Sequence, residues 1–266
     1  LINGQKRFIV GAEGADYFLV YARTDPDPKA DPHRALTAFI VDRGPGVKVE
    51  YLYGLMGSRG GGAGRLVFKD ARAPRENIVG RFNGAYDVFN TMMIPERLGT
   101  AAMTIGAARP ALEVATGYTT RRKAFGRIIN EFQGVSFQVA EAAMLLDACR
   151  SLVYTTSRAV DQGVDLDRVR RLVSETKKFV TEACQKVVHQ AMQVMGGIGY
   201  TNVFPVERIA RDLRLASIWT GSNEVMAMII AHEWYREYFA RRKQARERDY
   251  ELDAAEAFAP GEKIYE

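Results

Sequence analysis

The chain has 266 residues, 47% of them hydrophobic, and can therefore bury a core as one large domain or as two smaller ones. Its formal net charge is +5, but the basic residues are interspersed with acids such as Glu237, Glu247 and Asp249, which favours solvated helix faces over a nucleic-acid partner. No run reaches the roughly 18 apolar residues of a membrane helix and no secretory leader opens the chain, so we expect a soluble protein without a membrane span.

The first part of the chain favours β-structure. Turn-forming segments rich in Pro, Asp and Gly (DPDPKADP, GPG, GSRGGGAG) separate short apolar runs, as between the strands of a meander. The predicted strands are Lys6–Val10, Tyr17–Arg23, Ala35–Asp42, Val47–Leu52 and Arg65–Phe68. This pattern predicts a small, mostly antiparallel β-domain over residues 1–82.

After Gly84 the apolar residues recur every three or four positions, which indicates helices. We predict one helix over Pro95–Arg122, kinked at Pro110, and a second over Phe132–Val160. A third helix should begin at a cap residue, Asp165 or Asp167, and end near Gly196 and Gly197. Short connections between antiparallel helices are typical of a four-helix-type bundle.

The fold class is therefore predicted as α+β: the β-domain is followed by an antiparallel helical bundle over residues 83–241 and a charged tail over residues 242–266. Cys149 and Cys184 lie within helical patterns without metal spacing, which indicates two buried, reduced thiols. His33, His189 and His232 are isolated, so we predict no metal site.

Four segments resemble motifs of the acyl-CoA dehydrogenases, in the same order and at the same spacing. They are KRFIVGAEGADYFLVYARTDPD, RRKAFGRIINEFQGVSFQVAE, QVMGGIGY and IWTGSNEVM. The resemblance runs from about residue 3 to about residue 240 and implies the family fold without its N-terminal helical domain and its T-E-P-x-x-G-S-D loop. Leu1, in place of a Met, also suggests a start within a folded unit.

The resemblance implies an FAD-dependent dehydrogenation of an acyl-CoA substrate. In this family a glutamate removes the α-proton while the β-hydride passes to flavin, which gives a trans-2-enoyl-CoA, and electron-transfer flavoprotein then takes the electrons. The resemblance also implies the cytoplasm of a bacterium or archaeon, or the mitochondrial matrix.

The catalytic base is expected at Glu96. In the commonest family motif the base is the Glu of I-Y-E-G-T, and Thr220 stands at that position here. A minority, similar to the isovaleryl-CoA and long-chain enzymes, carries the base before the Arg at the start of the first bundle helix, and here that pair is Glu96 and Arg97. Taken alone, Glu96 would be an ordinary first-turn glutamate favoured by the helix dipole.

The resemblance also implies roles for the residues around Thr220. Its backbone N–H polarises the thioester carbonyl, which any residue except proline can do. Gly221 and Ser222 are expected against the cofactor, with Glu224 in a binding role. Trp219 could line the acyl pocket or belong to the core, and Arg97 and Gly221 are expected near the substrate.

Further residues are expected to bind FAD. Phe8 stands where the family has a Trp over the flavin ring, and Val10 replaces a Thr whose hydroxyl bonds near flavin N5, so one contact is lost. Across the family's dimer interface the neighbouring subunit holds the adenine and the diphosphate, which implies a homodimer or homotetramer. The matching residues here are Arg122, Phe125, Gln133, Gln193, Gly196 and Gly197.

Two other interpretations stay open. The chain could be an acyl-CoA oxidase or another flavin enzyme on the same fold, which oxygen-driven turnover would favour. It could also be a non-catalytic or partial subunit of a heteromeric assembly, because the family's flavin pocket needs the missing loop. Binding of FAD by the chain would discriminate between the enzymatic and the non-catalytic interpretations.

Overall fold

The computed structural model describes residues 1–242. The strands are β1 (Ile2–Ile9), β2 (Tyr17–Arg23), β3 (Leu36–Asp42), β4 (Val47–Leu52), β5 (Gly64–Ala71), β6 (Ile78–Val79), β7 (Lys123–Ala124) and β8 (Arg127–Ile128). The helices are α1 (Ala85–Thr119), α2 (Gln133–Asp161), α3 (Leu166–Met195), α4 (Val206–Leu213) and α5 (Asn223–Arg242). None of these helices is long and apolar enough to cross a membrane.

The β-region consists of two three-stranded antiparallel sheets, in the orders β1-β5-β4 and β2-β3-β6. In β2 and at the start of β5 alternate residues are buried, as the pleat requires. Phe18, Val20 and Phe39 from one sheet share a buried cluster with Leu66 and Phe68 from the other. The sequence predicted one small sheet, because strand periodicity does not reveal which strands pair.

Helix α1 begins at Ala85, so the predicted start at Pro95 is wrong by ten residues. It runs through both Pro95 and Pro110, although each proline removes one helical hydrogen bond. Tertiary packing outweighs this cost. Small side chains on one face of α1 are almost fully buried and belong to the same core as α3: Ala101, Ala108, Ala111 and Ala115. The kink at Pro110 stays a prediction.

Helix α3 is the central element of the bundle, and α1, α2 and α5 all pack against it. Its buried face includes Val180, Val187 and Val188. Cys149 of α2 and Cys184 of α3 are both buried and free, as predicted. Of the two proposed caps, Asp165 is the one whose side chain accepts from the first N–H groups of α3.

Ion pairs fasten α5 to the start of α3. Arg171 donates to Glu237 at 2.8 and 3.1 Å and to Glu175 at 2.6 Å, and Arg170 donates to the fully buried Glu233 at 3.0 Å. Arg171 is itself buried, so these pairs are screened less than surface pairs. They fix the direction of α5 and therefore the position of the turn from which α5 begins.

The α+β architecture, a small antiparallel β-region followed by a helical bundle, is confirmed. The domain boundaries stay a prediction. The predicted tail lies outside the described residues, except for Arg242 at the end of α5.

A loop of the β-region packs directly on α4. The Ser58 N–H donates to Asp212 Oδ1 at 2.6 Å, and Arg211 donates to the Met56 carbonyl at 2.9 Å. Between these bonds lies Gly57, where an added Cβ would stand 2.3 Å from the Arg211 carbonyl oxygen. The absence of a side chain is therefore what allows this close approach.

We predict that Gly57→Ala lowers the free energy of unfolding by about 1–3 kcal/mol, because the new methyl group overlaps backbone atoms of α4. Chemical denaturation measures the change. Gly60→Ala is the matched control, since a Cβ there meets nothing within 4 Å. Equal effects of the two substitutions on the free energy of unfolding would contradict the close contact between Gly57 and α4.

Candidate active site

The turn between α4 and α5 has an unusual backbone. Thr220 has φ 53° and Gly221 has φ 89°, so two successive residues adopt left-handed conformations. Glycine does so freely, but a β-branched residue there is an outlier that costs on the order of 1–3 kcal/mol. Such strain persists only where the surroundings hold it, and here two buried cations do so.

The first cation is Arg97 of α1. Its side chain is buried, and Nε donates to the Thr220 carbonyl at 3.2 Å. Burial lowers the pKa of Arg97, and the nearby Arg170 adds to the effect. Arg97 therefore spans from α1 to the turn, in contact with the backbone of the residue that stands at the family's usual base position.

The second cation is Lys177 of α3, which is fully buried. Its Nζ donates to the Gly221 carbonyl and to Asn223 Oδ1, both at 2.9 Å. Desolvation lowers the pKa of Lys177 to about 8, with a further contribution from Arg97. Sequence reasoning missed this residue. A usable signal was present, because Lys177 lies four residues after Val173 and three before Val180, on the apolar stripe of α3.

The turn also contains two buried polar atoms without hydrogen-bond partners among the described residues, Trp219 Nε1 and Thr220 Oγ1. Buried donors of this kind are normally satisfied by protein, water or a ligand. The backbone N–H groups of Thr220, Gly221 and Ser222 likewise bond to no acceptor within residues 1–242. These donors fit a site that binds an oxygen-rich ligand.

Two carboxylates adjoin in sequence the residues that form or hold this turn. Glu96 is exposed on α1, one residue before Arg97, and makes no hydrogen bond or ion pair with the described part of the chain. Glu224 is exposed in the first turn of α5, and a hydrogen bond from Ser222 is the main cause of its lowered pKa. Glu96 is thus an unengaged carboxylate beside the buried arginine that holds the turn.

A second group of predicted residues meets at the opposite end of the bundle. Arg122, Gln193, Gly196 and Gly197 line one cleft of about 550 Å³, where α1 and α3 end. Phe125 is 94% exposed in the adjacent β7–β8 hairpin, and does not line the cleft. Gln133, also outside the cleft lining, is the first residue of α2 and is exposed.

The predicted flavin-contacting residues of β1 form a third location. Phe8 is 69% exposed with φ 59°, beside a register shift between β1 and β5, and its ring lies 5.0 Å from that of Tyr53. Val10 is 59% exposed just beyond the strand. Both side chains are thus open to a ligand, and neither lines the cleft at Arg122.

The turn at residues 219–222, called the site turn from here on, and the cleft lined by Arg122, called the Arg122 cleft, are far apart within one chain. Helix α1 carries Glu96 near one end of the bundle and stops at Thr119, three residues before Arg122. Twenty-three helical steps of about 1.5 Å separate Glu96 from Thr119 by roughly 35 Å, more than the diameter of a small domain. One chain therefore has two separate groups of predicted ligand contacts.

Two antiparallel sheets joined to a helical bundle define a two-part α+β protein, with predicted ligand contacts at both ends of the bundle. Comparison with known families narrows this class. The family model "Acyl-CoA dehydrogenase, middle domain" matches residues 1–71, and "Acyl-CoA dehydrogenase, C-terminal domain" matches residues 83–234. The chain belongs to the acyl-CoA dehydrogenase family, as the sequence motifs predicted.

Named relatives agree with this assignment. Isovaleryl-CoA dehydrogenase from Oryza sativa mitochondria is 35% identical over 239 residues, which are 89% of this chain and 57% of the relative. The caffeyl-CoA reductase–Etf complex subunit CarC of Acetobacterium woodii is 33% identical over 232 residues, 87% of this chain and 60% of the relative. The chain thus spans about 60% of the length of such relatives.

The structure of butyryl-CoA dehydrogenase from Megasphaera elsdenii superposes with a TM-score of 0.82 at 31% sequence identity, covering 88% of this chain and 60% of that one. This match extends over both the sheets and the bundle, so the two parts are arranged here as they are in a solved member of the family.

We predict that Lys177 makes stability depend on pH above neutrality. Because burial lowers its pKa to about 8, below the unfolded value of 10.5, the unfolded chain binds more protons between these values and stability rises with pH. The free energy of unfolding of the wild type, relative to Lys177→Met, should rise between pH 8 and 10.5 by an amount on the order of 3 kcal/mol. Urea denaturation across this window measures it, and a flat or falling difference would contradict it.

Proposed function

We propose that this chain carries out FAD-dependent α,β-dehydrogenation of an acyl-CoA thioester. The observation that supports this most is the strained turn at Thr220, held by two buried cations next to the unengaged carboxylate Glu96. Backbone strain that is held by surrounding structure is found mainly at functional sites. The chain spans about 60% of the length of its relatives, so the activity of the whole protein is a proposal.

Each residue of the turn region has a defined task in this reaction. Glu96 accepts the α-proton of the acyl group as general base. The backbone N–H of Thr220 donates to the thioester carbonyl oxygen and stabilises the negative charge that develops there. Arg97 holds the Thr220 carbonyl, which keeps this donor in place. FAD, when bound, supplies the acceptor for the hydride that leaves the β-carbon, and the product is the trans-2-enoyl-CoA.

The chain's own residues fit FAD at three places. The open ring of Phe8, with Val10, suits the flavin ring, and the backbone donors of Gly221 and Ser222 suit the same end of the cofactor. The cleft of Arg122, with Gln193, Gly196 and Gly197, suits the diphosphate end, because a guanidinium binds phosphate oxygens in a bidentate manner.

Since roughly 35 Å of helix separates the turn from the Arg122 cleft, we propose that one FAD contacts β1 and the turn of one subunit and the cleft of another. The protein would then act as a homodimer or a homotetramer. Phe125, exposed beside the cleft, and Gln133 would contact the cofactor from the second subunit.

We further propose electron-transfer flavoprotein as the electron acceptor. The support is the family assignment and the relative from Acetobacterium woodii, whose name places it in a complex with Etf. Rapid turnover with oxygen as the only acceptor would instead favour an acyl-CoA oxidase.

One prediction from the proposed function concerns the base. We expect Glu96→Gln to lower the rate of flavin bleaching by butyryl-CoA or isovaleryl-CoA by roughly 100- to 10,000-fold, because the amide keeps the shape but accepts no proton. Visible absorbance of bound FAD should stay unchanged. Stopped-flow spectroscopy measures the rate.

Glu113→Gln is the control, since Glu113 is another exposed glutamate of α1 and, among residues 1–242, pairs with Arg109 alone. It should bleach like the wild type. A wild-type rate of flavin bleaching in Glu96→Gln would contradict the assignment of the base. A chain that binds no FAD would favour the non-catalytic interpretation.

The second prediction concerns Thr220. We expect Thr220→Ala to lose less than about tenfold in the same assay, because the variant keeps the backbone N–H and removes a hydroxyl that has no partner in the described structure. A loss comparable to that of Glu96→Gln would show that the hydroxyl takes part in the reaction.

A further inference from the structure

Two successive carbonyls of the site turn are held by cations from two different helices. Arg97 of α1 binds the Thr220 carbonyl at 3.2 Å, and Lys177 of α3 binds the Gly221 carbonyl at 2.9 Å. The chain has no cis peptide bond among the described residues, so the C=O and N–H of each peptide unit point in opposite directions. The N–H groups of Gly221 and Ser222 therefore point away from the two buried cations.

Lys177 also fixes the start of α5. Its Nζ donates to Asn223 Oδ1 at 2.9 Å, and Asn223 donates in turn to Thr181 at 3.0 Å and to Glu182 at 3.1 Å. The turn is thus bound on both sides of Ser222, at Gly221 and at Asn223, by one ammonium group. No side-chain hydrogen bond reaches a backbone carbonyl of residues 218–222 from any described residue other than Arg97 and Lys177.

A fully buried lysine is a costly way to satisfy two oxygen atoms. Packing alone could be met there by an apolar side chain of similar volume, which carries no desolvation cost. General packing of the bundle therefore does not require an ammonium at this position. The left-handed Thr220 does require support, because the strain must be offset by contacts to the same turn.

We propose that Lys177 is a positioning residue, which holds the Gly221 carbonyl and Asn223 and thereby keeps the left-handed backbone at Thr220 and Gly221 from which the Thr220 N–H is aimed at the thioester carbonyl oxygen. This inference rests on the proposed dehydrogenation. The lysine acts through the turn and touches neither substrate nor flavin. The charged groups that act on it are Arg97 from α1, Glu182 from its own helix and Glu224 from α5.

The test uses tryptophan fluorescence in the chain as it exists. The protein contains two tryptophans, and Trp234→Phe leaves Trp219, next to Thr220, as the only one. In this background the emission of Trp219 should change in one step with a midpoint near pH 8, where the ammonium loses its proton. Lys177→Met should abolish the step and give the high-pH spectrum throughout.

Lys186→Met is the matched control, since Lys186 is another lysine of α3, is exposed, and pairs with Glu141 of α2 rather than with a group that acts on Lys177. It should keep both the step and the midpoint. A Trp219 spectrum that does not change between pH 6.5 and 9.5 in the Trp234→Phe protein would overturn the proposal, even if Lys177→Met failed to fold. So would a step that persists in Lys177→Met.

Activity provides an independent readout. With butyryl-CoA or isovaleryl-CoA, Lys177→Met should lower kcat by tenfold or more while KM changes by less than threefold, because the lost donor alignment acts in the transition state. Wild-type kcat in this variant would overturn the catalytic part of the proposal. If the wild type turns over no acyl-CoA, the dehydrogenase proposal fails, while the fluorescence result still decides whether Lys177 holds the turn.

Discussion

The structure depends on two positive charges taken out of water at one turn. Arg97 and Lys177 reach the same short segment from two helices, and each ends on a backbone carbonyl. A buried cation requires oxygen atoms around it, so this requirement and the strained backbone at Thr220 satisfy each other. The helix core, the ion pairs of Arg171 and the start of α5 all serve to bring these groups to the same place.

This arrangement is compatible with the proposed position of the base at Glu96. With Thr220 in the turn, the turn has no carboxylate at that position but presents a backbone donor, a left-handed geometry and two cations. Glu96 lies one residue from Arg97, so a base there is fixed to the same framework as the turn. The chemistry of the proposed site can therefore be divided between α1 and the turn without a change of fold.

The distance between the two groups of predicted ligand contacts also follows from the fold. A helix as long as α1 is rigid and places Glu96 and Arg122 far apart, whatever the side chains do. The proposed sharing of one extended cofactor between subunits would account for this distance, and Phe125 in the β7–β8 hairpin is exposed to a neighbour. The length of α1 thus supports the proposed oligomer, and this argument does not depend on any apolar surface patch.

The sequence by itself determined the fold class, the family and most of the strands, because strand alternation, helical periodicity and four spaced motifs are local properties of the chain. It placed β2 and β4 at their observed bounds. Only the tertiary structure decided that the strands form two sheets, that α1 begins ten residues before Pro95, and that Arg122 and Gln193 share one cleft. Above all, it decided which oxygen atoms Lys177 binds. The apolar stripe of α3 could indicate that Lys177 is buried, but the Gly221 carbonyl and Asn223 lie in a turn distant in sequence, and no local pattern encodes that meeting.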